Sequence, residues 1–209
     1  SAGPTHEAID PVRFIGNHSS GKLGFCIAQK LKELGADVTL VSGPTALPHP
    51  HQMTVIPVIS AAEMLQACEK YFDDATIIVM SAAVADYTPI EVAAQKIKKK
   101  EDEFSIALKK TTDILATLGA KKKKNQLLIG FALETNNELE NAKDKLVRKN
   151  LDFIVLNSMQ DQGAGFATDT NKVTIINRSG ESSVFPLKSK EDVAKDICSI
   201  ILQHIPSKI

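Results

Sequence analysis

The sequence has little of several features that mark specialised classes of protein. Its 209 residues include no tryptophan, two tyrosines and only three cysteines, Cys26, Cys68 and Cys198. The cysteines form no CxxC pair, so they offer no zinc or disulfide framework and are typical of a reducing cytosol. No apolar run approaches the roughly 20 residues that a membrane crossing needs, and we recognise no signal peptide. We therefore expect a cytoplasmic protein without a membrane span.

The chain also has no net charge, because 25 basic residues balance 25 acidic ones. No global field would recruit nucleic acid or an anionic membrane. The hydrophobic fraction of 43% and the charged fraction of 24% are ordinary for a folded protein. With no internal repeat or linker, residues 1–209 are expected to form one domain. The opening Ser-Ala-Gly-Pro-Thr is typical of a strand end entering a turn, so we expect a piece of a longer polypeptide.

Strand-like and helix-like segments alternate along the chain. Helices are predicted over residues 21–34, 60–72, 139–149 and 189–204, and buried strands over 38–41, 54–58, 75–81, 127–131 and 153–157. Continuous apolar strands of this kind are usually buried on both faces of a parallel sheet. The alternation predicts a three-layer, doubly wound, mainly parallel α/β fold with helices on both faces. Antiparallel additions are predicted at residues 104–108, 173–177 and 183–187.

Three polar segments lie outside this scaffold, at residues 7–24, 82–102 and 109–113. In an open α/β sheet the ligand lies beyond the carboxyl ends of the strands, where such loops gather. The first segment contains residues 16–22, which match most of a P-loop, but Leu23 stands where a Ser or Thr should hold Mg²⁺. A simple Ser-capped helix start explains the same residues. In either case Ser19 and Ser20 precede a helix N-terminus, which favours anions.

Lysines and one aspartate provide further candidates, each with a structural alternative. Residues 96–100 are Lys-rich and follow a buried strand, so they form either a solvated face or a flap that reaches a phosphate. Lys145 and Lys149 share one helix face, where they are either solvated or separated by an anion. Asp86 follows a run of small residues, as either a turn residue or a ligand acceptor. The pair His49 and His51 lacks companion ligands, and no metal-binding motif is found.

Several of these segments occur together in one known family. Five motifs carry the resemblance, namely residues 2–22 (AGPTHEAIDPVRFIGNHSSGK), 82–87 (AAVADY), 96–99 (KIKK), 130–135 (GFALET) and 148–152 (RKNLD). It continues through Gly165-Phe166 and Asp169-x-Asn171, in order and over essentially the whole chain. The sequence therefore resembles the phosphopantothenate–cysteine ligases, in the bacterial type that is often fused behind a flavin-dependent decarboxylase.

The resemblance implies a Rossmann-like fold and a two-step reaction. In that family CTP, with Mg²⁺, activates the carboxylate of 4'-phosphopantothenate as an acyl-cytidylate, releasing pyrophosphate. The amine of L-cysteine then displaces CMP, a step of coenzyme A biosynthesis. No protein nucleophile is needed, which fits the absence of any triad, and no flavin is expected in this chain. The family also implies a homodimer with active sites near the subunit interface.

The resemblance also implies roles for individual residues. Asn17 matches the residue that turns the intermediate into product, and Lys96 matches the flap lysine required for forming it. The remaining substrate-site residues are implied to be Arg13, Ser19, Ser20 and Ala83. The implied nucleotide contacts are Met80, Ser81, Ala82, Asp86, Lys96, Lys109, Lys110, Thr111, Thr112, Phe131, Lys145 and Lys149.

Five positions depart from the family pattern, and none removes a charged group assigned to chemistry. They are Ser81, the pair Thr111 and Thr112, Leu133 and Ser158. They weaken the prediction of CTP over ATP more than the prediction of the reaction. Two other classes stay open: a phosphotransferase with a degenerate P-loop, and a non-catalytic Rossmann-like subunit that binds a partner.

Overall fold

The structure is a computed structural model that describes residues 1–99, 103–134, 136–158 and 168–205, with Ser158 described by its backbone alone. Predictions for Lys100, Thr135, Gly165 and Phe166 lie outside these residues. The helices are α1 (Lys22–Glu33), α2 (Ala61–Phe72), α3 (Ile114–Lys121), α4 (Glu138–Arg148) and α5 (Lys190–Gln203). The strands are β1 (His6–Ala8), β2 (Phe14–Gly16), β3 (Thr39–Ser42), β4 (Thr54–Pro57), β5 (Ile77–Met80), β6 (Tyr87–Pro89), β7 (Leu108–Lys110), β8 (Leu127–Glu134), β9 (Phe153–Ser158), β10 (Thr170–Asn171), β11 (Val173–Asn177), β12 (Ser182–Val184) and β13 (Lys188–Ser189).

The principal sheet has the strand order β12-β11-β9-β8-β5. Strands β5, β8 and β9 are parallel, whereas β11 and β12 add an antiparallel edge. A separate parallel pair is formed by β3 and β4. The predicted mainly parallel sheet with an antiparallel addition is therefore confirmed.

Residues 1–5 join the two parallel groups. The amide of Ala2 donates to the carbonyl of Val41 at 2.9 Å, and the amide of Ala83 donates to the carbonyl of Gly3 at 2.9 Å. Ala2 forms a parallel bridge with Ser42 of β3, and Pro4 forms one with Ala83, just after β5. The segment therefore lies between β3 and β5. Counted along the chain with residues 1–5 as the first strand, the six parallel strands run 3-2-1-4-5-6. That is the Rossmann order, whose topological switch point lies between residues 1–5 and β5.

Helices cover both faces of the sheet. Helices α1 and α5 pack on one face in a core that includes Leu23, Ile27 and Ile197, while α2, α3 and α4 pack on the other. Strand β8 shows why: Leu127 and Ile129 face the first core, and Leu128 and Ala132 face the second. A strand buried on both sides must be apolar throughout, so its unbroken hydrophobic run is explained by the three layers.

Local signals in the sequence set most element ends. The Ser60 hydroxyl accepts from the amide of Glu63 at 3.2 Å, as the predicted helix cap requires. The Glu63 carboxylate accepts from the amide of Ile59 rather than that of Ser60. The strand predicted over residues 104–108 was wrong in its bounds, since only Leu108 enters β7. Phe104 is 61% exposed, so this apolar run has no sheet face to cover and pairing begins only opposite β6.

Candidate functional site

Two adjoining cavities lie at the carboxyl ends of the strands around the topological switch point. The first has a volume of about 320 Å³ and the second about 450 Å³. They share five lining residues, which are Ala82, Val84, Asp86, Phe131 and Lys145. The cavities are therefore two compartments of one cleft, and groups bound in them would meet at this shared wall.

The start of α1 forms one side of the first cavity. The hydroxyls of Ser19 and Ser20 accept from the amides of Gly21 and Lys22, at 3.3 and 3.4 Å. Gly21 has φ +77°, and a Cβ there would lie 3.0 Å from the backbone of Gly3, so glycine suits both the turn and the close approach. The amides and the positive end of the helix dipole make this a favourable environment for an anion.

Lysines give the first cavity a positive lining. Among the described residues they are Lys22, Lys145, Lys172 and Lys190. Lys22 forms a 2.7 Å ion pair with Asp169, which raises the pKa of this lysine and lowers the pKa of the aspartate. Lys190 is only 4% exposed, and burial lowers the pKa of its ammonium. An acidic ligand would add a counter-charge to this compartment.

Asn17 lies over the segment that follows β5 and precedes β6. Its amide nitrogen donates to the carbonyls of Ala83 and Val84, at 3.1 and 3.5 Å. The carbonyl of Ala83 also accepts from the amide of Thr5, which ties this turn to residues 1–5. The side-chain amide of the residue expected to turn the intermediate into product is thus directed at the main chain in this structure.

Asn171, at the end of β10, contributes a buried acceptor to the first cavity. Its nitrogen donates to the side-chain oxygen of Asn157 at 3.3 Å, and the residue is 5% exposed. Its own Oδ1 is buried without a hydrogen-bond partner in the part of the chain that the structure describes. Because a buried unpaired acceptor is costly, this oxygen suits a donor on a bound molecule.

The second cavity has a compact basic wall. The ammonium of Lys145 donates to the carbonyl of Phe131 at 2.9 Å, and Lys149 pairs with Asp113 at 2.7 Å. Burial, and then the nearby charge of Lys149, lower the pKa of Lys145. Burial opposes ionisation of Asp113, but its hydrogen bonds from Lys149 and the amide of Ala116 outweigh this effect and lower its pKa. Neither lysine is simply solvated, because Lys149 is 12% exposed in its ion pair, Lys145 donates to the main chain, and both line this cavity.

The loop before α3 closes the second cavity. The Thr111 hydroxyl donates to the carbonyl of Ala85 at 2.7 Å, and its amide donates to the carbonyl of Asp86 at 2.9 Å. These bonds fix the threonine against the strand end, and the cap of α3 follows at once, since Asp113 accepts from Ala116. Lys110 and Thr112 line the same cavity.

The structure brings together most of the residues singled out from the sequence. The first cavity receives Asn17, Ser19, Ser20, Ser81, Ala82, Ala83 and Asp86, and the second receives Met80, Ala82, Asp86, Lys110, Thr111, Thr112, Phe131, Lys145 and Lys149. Three predicted residues line neither compartment. Lys109 and Lys96 are exposed, and the guanidinium of Arg13 is bound to Asp10 and to the carbonyl of Ile97.

Sequence reasoning missed several residues of the cleft. Lys172 and Lys190 were not singled out, and Asn171 was quoted in a motif without a role. A signal existed for Lys190, which directly follows the cap of the last helix. Asn157 and Asp113 were likewise unassigned. Asn171, Lys172 and Lys190 meet the cleft only because β10 and the start of α5 fold back toward α1, which local patterns do not reveal.

The P-loop interpretation of residues 16–22 does not fit its surroundings. A P-loop joins a strand of the main sheet to a helix, whereas in the described part of the chain β2 pairs with β1 alone, in a small antiparallel hairpin. Lys22, which should reach phosphates, forms its ion pair with Asp169. We therefore reject the degenerate P-loop. The alternative of a Ser-capped helix start was also wrong, because the cap residue of α1 is Gly21 and no side chain caps the helix. Ser19 and Ser20 instead accept from the amides of the two residues at the cap and the first helical position.

The switch-point cleft, its basic lining and the strand order define a Rossmann-like α/β ligand-binding protein. A family model described as the DNA/pantothenate metabolism flavoprotein C-terminal domain matches residues 1–205, and the chain belongs to this family. In the described residues no helix is long and apolar enough to cross a membrane.

Relatives and a solved structure support the same assignment. The chain is 48% identical over 198 residues to the coenzyme A biosynthesis bifunctional protein CoaBC of Bacillus subtilis (strain 168), covering 94% of this chain and 48% of that protein. It is 53% identical over 203 residues to a cysteine/cysteine sulfinic acid decarboxylase of an unknown prokaryotic organism, covering 97% and 56%. The crystal structure of the C-terminal domain of CoaBC superposes with a TM-score of 0.82 at 44% identity, covering 97% of this chain and 91% of that one. The chain thus spans about half the length of these curated relatives.

Proposed function

We propose that this chain is a phosphopantothenate–cysteine ligase that uses CTP. The observation that carries the proposal is the pair of cavities joined by one wall, since an acid and a nucleotide must react with each other. Further support comes from the 44% identity to the C-terminal domain of CoaBC over almost all of that domain.

The second cavity suits the nucleotide. Lys110, Lys145 and Lys149 provide positive charge for a triphosphate, and Phe131 provides an aromatic side chain for the base. Asp86 lies at the shared wall, where its carboxylate can accept from a ribose hydroxyl.

The first cavity suits the acid substrate. A phosphate at the start of α1 would meet the amides after Ser19 and Ser20, with Lys22 and Lys190 nearby in the same lining. The buried Oδ1 of Asn171 is then available to a hydroxyl or amide donor of the pantoyl chain. The carboxylate at the far end would extend toward Asn17, Ala83 and the wall that the nucleotide shares.

The chemistry needs charge stabilisation and orientation rather than a protein nucleophile. A carboxylate oxygen of phosphopantothenate attacks the α-phosphorus of CTP, and the bond to pyrophosphate breaks. The cysteine amine then attacks the acyl carbon, CMP leaves with the bridging oxygen, and the amine proton passes to solvent. Lys145 and Lys149 would offset the charge that develops on the phosphates, and Lys96 is proposed to join them from its flap.

Magnesium would accompany the nucleotide. Mg²⁺ is commonly held by one or two carboxylates together with substrate phosphates, and the carboxylate of Asp86 fits that pattern. No cluster of three or more His, Cys, Asp or Glu able to hold a metal occurs among the described residues. We therefore expect the phosphates to supply most of its ligands, and the ion to offset their charge.

A second copy of the chain is the proposed partner of an exposed apolar surface. Two neighbouring hairpins, β1–β2 and β6–β7, expose Val12, Phe14, Ile90, Val92 and Leu108 by 41–60%. The apolar surface lies on the elements that flank the cleft, as a dimer with active sites near its interface requires. A Phe14→Glu, Val92→Glu variant should sediment as a monomer where the parent sediments as a dimer.

The relatives extend well beyond this chain, and we propose that a flavin-dependent decarboxylase is fused to it in the native protein. The three cysteines are free thiols, which supports a reducing, cytoplasmic location.

Product analysis tests the proposed function. The chain is mixed with phosphopantothenate, Mg²⁺ and either CTP or ATP, with and without cysteine. With CTP and cysteine we expect pyrophosphate, CMP and phosphopantothenoylcysteine in equal amounts. Without cysteine we expect pyrophosphate and the acyl-cytidylate, and neither CMP nor phosphopantothenoylcysteine. Release of orthophosphate and a nucleoside diphosphate would indicate a phosphotransferase instead. Binding of neither nucleotide would indicate a non-catalytic subunit.

A further inference from the structure

The segment that carries Lys96 is attached to the β1–β2 hairpin. We call residues 93–99 the lysine segment. The amide of Ala93 donates to the carbonyl of Ile9 at 3.0 Å, and the amide of Ile97 donates to Oδ2 of Asp10 at 3.1 Å. The guanidinium of Arg13 donates to the carbonyl of Ile97 at 2.8 Å. Both backbone polar groups of Ile97, the neighbour of Lys96, are therefore held by one ion pair.

The two carboxylate oxygens of Asp10 have separate tasks. Oδ1 accepts from the amides of Val12 and Arg13, at 2.8 and 2.9 Å, and so closes the local turn. Oδ2 accepts from the Arg13 guanidinium and from the amide of Ile97, which is 87 positions away. The side chain has no exposed surface. The Arg13 hydrogen bonds, followed by those of the amides, hold the pKa of Asp10 well below its usual range.

We propose that Asp10 is a positioning residue that acts through Lys96. With Ile97 fixed at its N–H and C=O, the backbone from which the lysine side chain projects is fixed as well. Lys96 itself is exposed and lines neither cavity, so nothing in the cleft walls orients it. The orientation of the Lys96 side chain therefore depends on the lysine segment and on its attachment to Asp10 and Arg13. This inference rests on the proposed function, in which Lys96 contacts the triphosphate.

Substitution of Asp10 by Asn separates the two tasks. The amide oxygen of Asn can still accept from the turn amides, but the NH₂ group replaces the acceptor that Ile97 and Arg13 require. The variant should keep the hydrogen bonds that close the local turn and lose the hydrogen bond that attaches the lysine segment to residue 10. Asp73→Asn is the matched control, because it breaks a 2.7 Å ion pair with Lys123 and lies outside the linings of both cavities.

A double-mutant cycle on pyrophosphate release tests the inference. The parent, Asp10→Asn, Lys96→Gln and the double variant are assayed with CTP and phosphopantothenate in the absence of cysteine. Misplacing a reacting group by about 1 Å can cost roughly 100-fold in rate, so we expect Asp10→Asn to slow this step about 10- to 100-fold. In the Lys96→Gln background the same change should have no further effect. The Asp73→Asn control should match the parent.

Several results would overturn the inference. Asp10→Asn at the parental rate, or fully additive losses in the double variant, would mean that Asp10 does not act through Lys96. A normal rate in Lys96→Gln would instead remove the proposed role of that lysine. If Asp10→Asn does not fold, amide hydrogen exchange of the parent protein tests the attachment instead. The backbone amide of Ile97 should then exchange much more slowly than the amides of Lys98 and Lys99. Exchange of Ile97 as fast as theirs would refute the attachment.

Discussion

The ammonium group of Lys145 donates a 2.9 Å hydrogen bond to the carbonyl oxygen of Phe131, which joins α4 to the second half of β8. Both residues line both cavities. A cation is thereby held at the wall where an activated acid and a nucleotide would meet. Because Lys145 is partly buried and next to Lys149, its pKa is lowered although three carboxylates lie nearby, and a bound anion would stabilise its charge further.

Removing this cation should weaken nucleotide binding. We expect Lys145→Met to raise the KM for CTP by roughly 10- to 100-fold, since a partly desolvated contact of a cation with phosphate contributes about 1.5–3 kcal/mol. Steady-state kinetics measure this change. Lys143→Met is the matched control, because Lys143 is exposed on the same helix and lines neither cavity. An equal effect of both substitutions would contradict the assigned position of the nucleotide.

Nucleotide capture should decline at alkaline pH. Burial and the charge of Lys149 lower the pKa of Lys145, so its proton is lost below the ordinary value of 10.5. The binding contribution is present below the shifted pKa and disappears as the pH rises through it. The profile of kcat/KM for CTP should therefore fall on its alkaline side, and Lys149→Met should move that limb to higher pH. A limb unchanged by Lys149→Met would argue against coupling of the two lysines.

The turn before α1 should tolerate no side chain at Gly21. Gly21→Ala places a methyl group 3.0 Å from the backbone of Gly3, in addition to the strain of φ +77°. Gly35→Ala carries comparable strain at φ +92° but has nothing within 4 Å. We expect Gly35→Ala to lose about 1 kcal/mol of stability and Gly21→Ala to lose more than that, and only Gly21→Ala to raise the KM for phosphopantothenate several-fold. Thermal unfolding and kinetics separate the two effects, and equal KM values would refute the prediction.

Asn17 should matter for the second step of the reaction. In Asn17→Asp a carboxylate oxygen would face the carbonyls of Ala83 and Val84, which now accept hydrogen bonds from the amide nitrogen. The side chain must turn away, and we expect the acyl-cytidylate to form but to react slowly with cysteine. Mass spectrometry of quenched reactions should detect the accumulated intermediate. Normal product yield without any intermediate would count against this role.

Much of the fold was predictable because its signals are local. Apolar runs such as that of β8 identify strands buried on both faces, and Ser60 and Ser189 accept from the amides that their spacing indicates. The i,i+4 spacing of Lys145 and Lys149 likewise predicted that both lysines share one helix face, but it did not decide whether that face meets solvent or a ligand. The strand expected at residues 104–108 failed because apolar sequence alone does not show whether a partner strand is near.

The remaining features depend on contacts between distant segments. Residues 1–5 complete the sheet only when β3 and β5 are present on either side. Asn171 and Lys190 enter the cleft through β10 and α5, far along the chain from α1. The attachment of Ile97 to Asp10 spans 87 positions. No periodicity or spacing reports such pairings, so the wall residues from the last third of the chain were missed.

The fate of the carboxylate oxygen tests the central claim most directly. Phosphopantothenate labelled with ¹⁸O in its carboxylate is converted with CTP, Mg²⁺ and cysteine, and the products are analysed by mass spectrometry. Attack on the α-phosphorus followed by capture with an amine predicts one ¹⁸O atom in CMP and none in pyrophosphate. Label in orthophosphate accompanied by CDP, or unlabelled CMP, would contradict an acyl-cytidylate formed where the two cavities meet.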